Sequence, residues 1–271
     1  MPARPPFGPG PFLLAGPCVV EDDALNLRVG ERLAELASRL GIPVTFKASY
    51  DKANRSRLGA ARGPGLHEGL EALARVRAAT GLPILTDVHE CAQVAAAAEA
   101  ADVLQVPAFL CRQTDLLLAV GKAGRAVNVK KGQWMSPEGM AGAVEKVRAG
   151  GTTDVAVTER GSFFGYGDLV VDMRSFRRMR DACGAPVVFD ATHSVQQPGQ
   201  GADGASGGLR QFIPPLLYAA AAAGADGFFL ETHPDPEHAP SDGPNMVPLD
   251  DLEAVLRRAL DVWHAARGGR A

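Results

Sequence analysis

The sequence predicts an α/β protein, a single (β/α)8 barrel (the TIM-barrel class) over residues 1–271. Three observations predict it. Short apolar runs alternate eight times with longer stretches of helical periodicity. The runs are continuously apolar, and polar residues recur where each one ends. Continuous apolar strands separated by helices form a parallel sheet buried on both faces. Eight such units in 271 residues favour a closed barrel over an open doubly wound sheet.

Taken in order, the expected strands are 12–20 (FLLAGPCVV), 43–49 (PVTFKAS), 83–88 (PILTDV) and 102–108 (DVLQVPA). The other four are 126–131 (AVNVKK), 154–159 (DVAVTE), 186–191 (PVVFDA) and 227–232 (GFFLET). Between them lie Ala-, Leu- and Arg-rich segments such as LNLRVGERLAELASRL and EGLEALARVRAAT. Gly41, Gly81 and Gly184 stand two residues before a proline that opens a strand, the punctuation of a helix end leading into a buried strand. Gly63-Pro64-Gly65 marks the end of a loop and the start of the next helix. No linker divides the chain.

Composition narrows the class. Hydrophobic residues make up 46% of the chain and charged residues 22%, enough for a large core and too apolar for disorder. A net charge of -3 offers no general attraction for nucleic acid or an anionic membrane. Four cysteines without a CxxC pair point to a reduced, cytoplasmic protein. The N-terminal apolar stretch is short and broken by Pro and Gly, which fits neither a signal peptide nor a membrane anchor, and no later run is long enough to span a bilayer.

In a barrel the active site is built at the C-terminal ends of the strands. Here those ends carry Cys18, Lys47, Asp87, Gln105, Lys130 with Lys131, Glu159 with Arg160, Asp190 with His193, and Glu231 with His233. One or two polar caps would be unremarked; polar groups on all eight strands indicate a site. Lys47, Lys52, Arg55, Arg112, Lys130, Lys131 and Arg160 fall at strand ends or in the loops just after them. Cations from several strands converge only at the mouth, and they imply an anionic substrate with more than one phosphate or carboxylate. KASYDKANRSR (47–57) sets Lys47, Lys52, Asn54, Arg55 and Ser56 in one loop. This suits a phosphate, although an exposed loop with a helix cap has the same composition.

Cys18, His193, Glu231 and Asp242 come from strands one, seven and eight and the loop beyond, which are neighbours in a closed barrel. A thiolate, an imidazole and two carboxylates suit a divalent ion of the Zn, Fe or Mn class. A buried cysteine beside an unrelated capping histidine is the other reading. Cys91, Cys111 and Cys183 have no such partners and are expected to be packing residues. His67, His238 and His264 read as surface residues, while His89 and His233 stay open. The Gly-rich stretch 196–210 lacks GxGxxG spacing and reads as a loop able to close over the site. TERGSFFGYGDLVVDMR (158–174) places Arg160 beside an aromatic loop that would wall off water.

The segments AGPCVVED, FKASYDKANRSR, GPGL, TDVHE, QVPAFLCRQTDLL, VNVKKGQWMSPE, TERGSFFGYGDLVVDMR, FDATHSVQQPG and ETHPDPEHAPSDGP occur in this order. Through them the chain resembles the 3-deoxy-D-manno-octulosonate 8-phosphate synthase family over nearly its whole length. KANRS sets that family apart from heptulosonate-forming relatives, which carry a shorter KPR-type motif. The resemblance implies condensation of phosphoenolpyruvate with D-arabinose 5-phosphate and water, for lipopolysaccharide biosynthesis. It implies that Lys130, Arg160, Gln105 and Ala108 hold the phosphate of phosphoenolpyruvate, and that Lys47 and Lys52 face its carboxylate and the reacting carbons. Asn54, Arg55 and Ser56 would hold arabinose 5-phosphate, with Asp87 and His89 near its hydroxyls or the attacking water. Arg112 would reach the sugar phosphate of a neighbouring subunit in a homotetramer. Cys18, in place of the Asn of the metal-free branch, implies the metal-dependent branch, with His193, Glu231 and Asp242 as further ligands. A sister phosphoenolpyruvate-dependent aldose synthase (heptulosonate phosphate or sialic-acid type) and a non-catalytic sugar-phosphate-binding barrel are the alternatives.

Overall fold

The computed structural model describes residues 6–55, 57–200 and 207–268. Eight parallel strands form the barrel: β1 (Phe12–Val19), β2 (Val44–Ser49), β3 (Ile84–Asp87), β4 (Val103–Val106), β5 (Ala126–Lys130), β6 (Val155–Glu159), β7 (Val187–Asp190) and β8 (Gly227–His233). Each pairs with the next, and β1 pairs with β8 from Phe12↔Gly227 to Gly16↔Glu231, which closes the ring. The helices on the outside are α1 (Asp23–Leu40), α2 (Leu66–Thr80), α3 (Val94–Ala100), α4 (Thr114–Lys122), α5 (Ala141–Gly150), α6 (Ser175–Cys183), α7 (Ile213–Ala223) and α8 (Leu252–Ala266). The predicted barrel is therefore the observed one. The caps behave as expected: α1, α2 and α6 end on Gly41, Gly81 and Gly184 at φ 65, 69 and 53, where a Cβ would be unfavourable.

The apolar residues form two bodies. The larger lies between strands and helices and includes Val127, Val129, Val157, Phe176 and Phe189. The smaller fills the barrel, where Phe12, Leu14, Leu85, Val103, Ala126, Val188 and Phe229 meet, with Phe7 packed on Phe12 at 5.6 Å between ring centroids. Toward the C-terminal ends the interior turns polar. Thr158 Oγ1 donates to Asn128 Oδ1 (2.6 Å), whose amide donates to Gln105 Oε1 (3.0 Å), tying three adjacent strands together and leaving these buried groups satisfied. The barrel is thus plugged by apolar side chains at one end and lined by polar ones at the other.

Strand alternation decides which lysine of the 130–131 pair faces inward. On β5, Ala126 belongs to the interior cluster and Val127 and Val129 to the outer one. Lys130 therefore points into the barrel and Lys131 out of it. This corrects the expectation that both join the cations at the mouth. Lys131 is buried on the far side, 3.4 Å from Glu159, and donates to Ser162 Oγ at 3.1 Å.

Candidate active site

A cavity of about 1350 Å³ opens at the C-terminal end of the barrel. Lys47, Lys52, Asn54, Arg55, Asp87, His89, Gln105, Ala108, Lys130, Arg160, His193 and Asp242 all line it. Ser56 and residues 201–206 of the Gly-rich stretch lie outside the described residues. The rest of that stretch contributes Gln196, Gly199 and Gly208 to the wall, and Phe163 of the aromatic loop stands beside Arg160.

Beneath this wall lies a dense set of buried charges. Lys47 is 2% exposed, and its Nζ donates to Glu231 Oε1 (2.9 Å) and to the carbonyl of Cys18 (3.0 Å). Lys130 Nζ donates to Asp190 Oδ2 at 2.6 Å and sits 3.6 Å above the Phe229 ring, a cation held against a π face. Asp190 also accepts from the His193 backbone N–H at 2.9 Å and contacts His193 Nδ1 at 2.8 Å. The Asp190 contact at Nδ1 fixes the ring so that its Nε2 faces Glu231 Oε2 at 3.7 Å.

The metal-ligand candidates meet here. Ligand atoms of Cys18, Glu231 and Asp242 all lie within 4.8 Å of one another, with Cys18 Sγ 3.5 Å from Asp242 Oδ2. His193 stands one contact outside this trio. Cys18 and Glu231 are fully buried, and Glu231 Oε2 has no hydrogen-bond partner among the described residues. Unusual backbone aims two of the donors: Cys18 has φ 77 and Asp242 φ 53, left-handed values that non-glycine residues adopt mainly where function or packing demands it. At Cys18 the cause is a register shift of β1 against β2 between Ala15 and Cys18. Gly16 permits it, because a Cβ there would stand 2.0 Å from the Lys47 carbonyl oxygen. The loop carrying Asp242 is anchored by Thr232 Oγ1 donating to the Val247 carbonyl at 2.8 Å.

Charge states follow from these surroundings. Burial, then the charge of Glu231, pushes the Cys18 thiol up to about 12. Burial would also raise Glu231 and Asp242, yet Lys47 and His193 for the first, and His193 and Lys52 for the second, hold both below the ordinary carboxylate range. Two anionic carboxylates, a thiol and an imidazole are a donor set of borderline hardness, suited to a first-row divalent cation, whose binding would release the thiol proton.

Elsewhere in the cavity, Ser49 Oγ donates to Asp87 Oδ1, and Asp87 pairs with His89 Nε2 at 3.0 Å. Burial works against the charged forms of both, but their hydrogen bond and mutual charge outweigh it: Asp87 lies well below the ordinary range and His89 above its own. A raised histidine stabilises the fold fully below its unfolded pKa of about 6.5 and loses that contribution as pH rises through its higher folded value. Melting temperatures should show this. Native protein is expected to exceed His89→Asn by more at about pH 5.5 than at about pH 8.5, and an equal gap at both would refute the charged pair.

Three expectations need correction. Arg112 does not reach the large cavity within one chain. The short turn Ala108–Leu110 after β4 carries it to a separate hollow of about 420 Å³, beside Trp134 and Lys146. Cys91 is exposed, not a packing residue, because it starts a short surface turn; Cys111 and Cys183 are buried as expected. Lys131 faces away, as described above. His233, left open by sequence, is buried with Nε2 3.1 Å from Glu21 Oε1, joining the loops after β8 and β1.

Gln196, Ser49 and Ser241 escaped notice as site residues and carry no sequence signal, whereas Asp190, expected at its strand end, proves to be the acceptor for Lys130 and His193.

A model described as the DAHP synthetase I family matches residues 8–264. The chain belongs to that family. Among curated relatives, a Rhodopseudomonas palustris protein is 57% identical over 92% of this chain and 86% of its own length. A Syntrophotalea carbinolica protein is 54% identical, covering 94% and 92% respectively. A Bradyrhizobium protein is 53% identical, covering 96% and 90%. All three are named 2-dehydro-3-deoxyphosphooctonate aldolase. Within the DAHP synthetase I barrel described here, the cavity and its buried charges occupy the strand ends, and no helix among the described residues is long and apolar enough to cross a membrane.

Proposed function

We infer that this protein condenses phosphoenolpyruvate with D-arabinose 5-phosphate and water, giving 3-deoxy-D-manno-octulosonate 8-phosphate and inorganic phosphate for lipopolysaccharide biosynthesis. The observation that carries this reading is the cavity itself. It gathers Lys47, Lys130, Arg160, Lys52 and Arg55 in a chain more than half identical to relatives named for that aldolase. Arg160 Nη1 and Arg55 Nη2 are buried without a hydrogen-bond partner among the described residues, which suits each to an anionic oxygen.

The reaction needs little covalent chemistry from the protein. C3 of phosphoenolpyruvate is a weak nucleophile and must be held against the sugar aldehyde. The C2–C3 π pair forms the bond to the aldehyde carbon, whose oxygen takes a proton and becomes a hydroxyl. Water oxygen adds at C2, gives up its protons, and becomes the ketone oxygen as the C2–O bond to phosphate breaks and inorganic phosphate leaves. Lys130 and Arg160, with Gln105 and Ala108 alongside, hold the phosphate and stabilise its departure as an anion. Lys47 and Lys52 face the carboxylate, and the anions around C2 favour the positive charge developing there. Asn54 and Arg55 hold the sugar phosphate, and Asp87 with His89 is positioned for its hydroxyls or for a proton of the attacking water.

Cys18, Glu231, Asp242 and His193 would hold a divalent cation of the Zn, Fe or Mn class; the orphaned Glu231 oxygen and the thiol beside two carboxylates support this reading. When bound, the cation supplies a positive charge that orients and polarises a substrate oxygen. The exposed placement of Arg112 supports a role toward a neighbouring subunit in a homotetramer, and the use of phosphorylated metabolites as substrates supports a cytoplasmic location. The deciding test is phosphate release from the two substrates before and after chelation, with metal then restored. Activity is expected to vanish on chelation and return with a divalent ion. Activity indifferent to chelator would overturn the metal assignment, and release only with a different aldose would overturn the substrate.

A further inference from the structure

Asp242 sits in the middle of an unbroken hydrogen-bonded chain between two arginines. On one side Gln196 Nε2 donates to Asp242 Oδ1 (2.7 Å) while Gln196 Oε1 accepts from Arg160 Nη2 (2.6 Å). On the other side Ser241 Oγ donates to Asp242 Oδ2 (2.8 Å) and accepts from Arg55 Nη1 (2.9 Å). The polarity of both bridges is fixed. A carboxylate at one end can only accept and a guanidinium at the other can only donate, so neither the amide nor the hydroxyl can be reversed. Each arginine spends one terminal nitrogen on this chain and keeps the other, Arg160 Nη1 and Arg55 Nη2, buried and unpartnered. At the centre, Asp242 Oδ2 faces Cys18 Sγ, and the Glu231 oxygen beside them is likewise unpartnered.

We propose that Gln196 and Ser241 are positioning residues that join a metal held at Cys18, Glu231 and Asp242 to the two arginines that hold the substrate phosphates. The proposal rests on the synthase reading for the roles of those arginines. A phosphate that captures Arg160 Nη1 fixes the guanidinium, and through Gln196 it fixes the Asp242 carboxylate in its ligating pose. Arg55 and Ser241 do the same from the sugar-phosphate side. Binding at either phosphate subsite then tightens metal binding, and by linkage the metal tightens each phosphate equally. Charge attraction between phosphate and cation would also couple the sites, but it does not need the bridges. Removing a bridge separates the two causes, because every formal charge stays in place.

The experiment titrates metal-free protein with Co²⁺, following the thiolate-to-cobalt absorption band, alone and with phosphoenolpyruvate or arabinose 5-phosphate present singly so that no turnover occurs. In the native protein each substrate is expected to lower the Co²⁺ dissociation constant at least about fivefold, the lower end of ordinary coupling. Gln196→Met should reduce the phosphoenolpyruvate effect to under about twofold and spare the arabinose 5-phosphate effect; Ser241→Ala should do the opposite, with rescue by Ser241→Thr. Should Gln196→Met fail to fold, Gln196→Leu serves, since it too removes both contacts of the bridge without adding a charge. Coupling that survives both variants unchanged, or is absent in the native protein, overturns the proposal, as does a protein that gives no cobalt band. Phosphate release from the two substrates together, assayed separately, tests the synthase reading. Coupling without product would sink that reading and keep the bridges; product without coupling would do the reverse.

Discussion

Replacing Glu231 with alanine is expected to abolish divalent-cation binding and to lower the free energy of unfolding by about 3–5 kcal/mol. Glu231 is fully buried and accepts from Lys47, which is itself 2% exposed. Removing the carboxylate leaves that ammonium in a low-dielectric interior with the Cys18 carbonyl as its remaining hydrogen-bond acceptor among the described residues, and an uncompensated buried charge is far costlier than the intact pair is stabilising. The same change deletes the one ligand candidate with a buried, unpartnered oxygen. Urea unfolding of metal-free protein and metal content after dialysis measure the two effects independently. Glu231→Gln keeps an acceptor for Lys47, so it should lose the metal with a smaller stability loss. A Glu231→Ala protein as stable as the native one would show that Lys47 finds another counter-charge.

Lys130→Met is expected to reduce turnover by at least about 10²–10³-fold, the usual consequence of removing one preorganised donor from a developing oxyanion. The fold should survive. Methionine can lie on the Phe229 ring where the lysine stem lies, and Asp190 retains both contacts with His193. Steady-state kinetics should place most of the loss in kcat, because the lysine meets its full charge partner only as phosphate departs. A variant with unchanged kcat and a raised KM would assign Lys130 to ground-state binding alone.

The strands were legible because their signals are local. Apolar runs four to eight residues long, three of them preceded by a helix that ends on glycine at φ 65, 69 or 53, report backbone conformations set by residues a few positions apart. The side on which Lys131 falls was legible too, from the alternation of Ala126, Val127, Asn128 and Val129, had period two been carried one residue past the strand end. Arg112 was not. A short turn after β4 swings it away from the mouth, and nothing in QVPAFLCRQTDLL distinguishes that turn from one that would swing it in. Gln196 and Ser241 carry no motif at all; their roles exist only in the company of Arg160, Arg55 and Asp242.

By itself the sequence determined eight strand–helix units, the barrel they close into, the polar groups at each strand end, and the family to which the chain belongs. The tertiary structure alone decided how those groups combine. Cys18 meets Asp242 across 224 residues of chain and Lys47 meets Glu231 across 184, so their partnerships are products of barrel closure. Only closure brings β8 against β1, and only the resulting low-dielectric interior sets which carboxylates stay charged, which thiol keeps its proton, and which arginine nitrogens remain free for a phosphate.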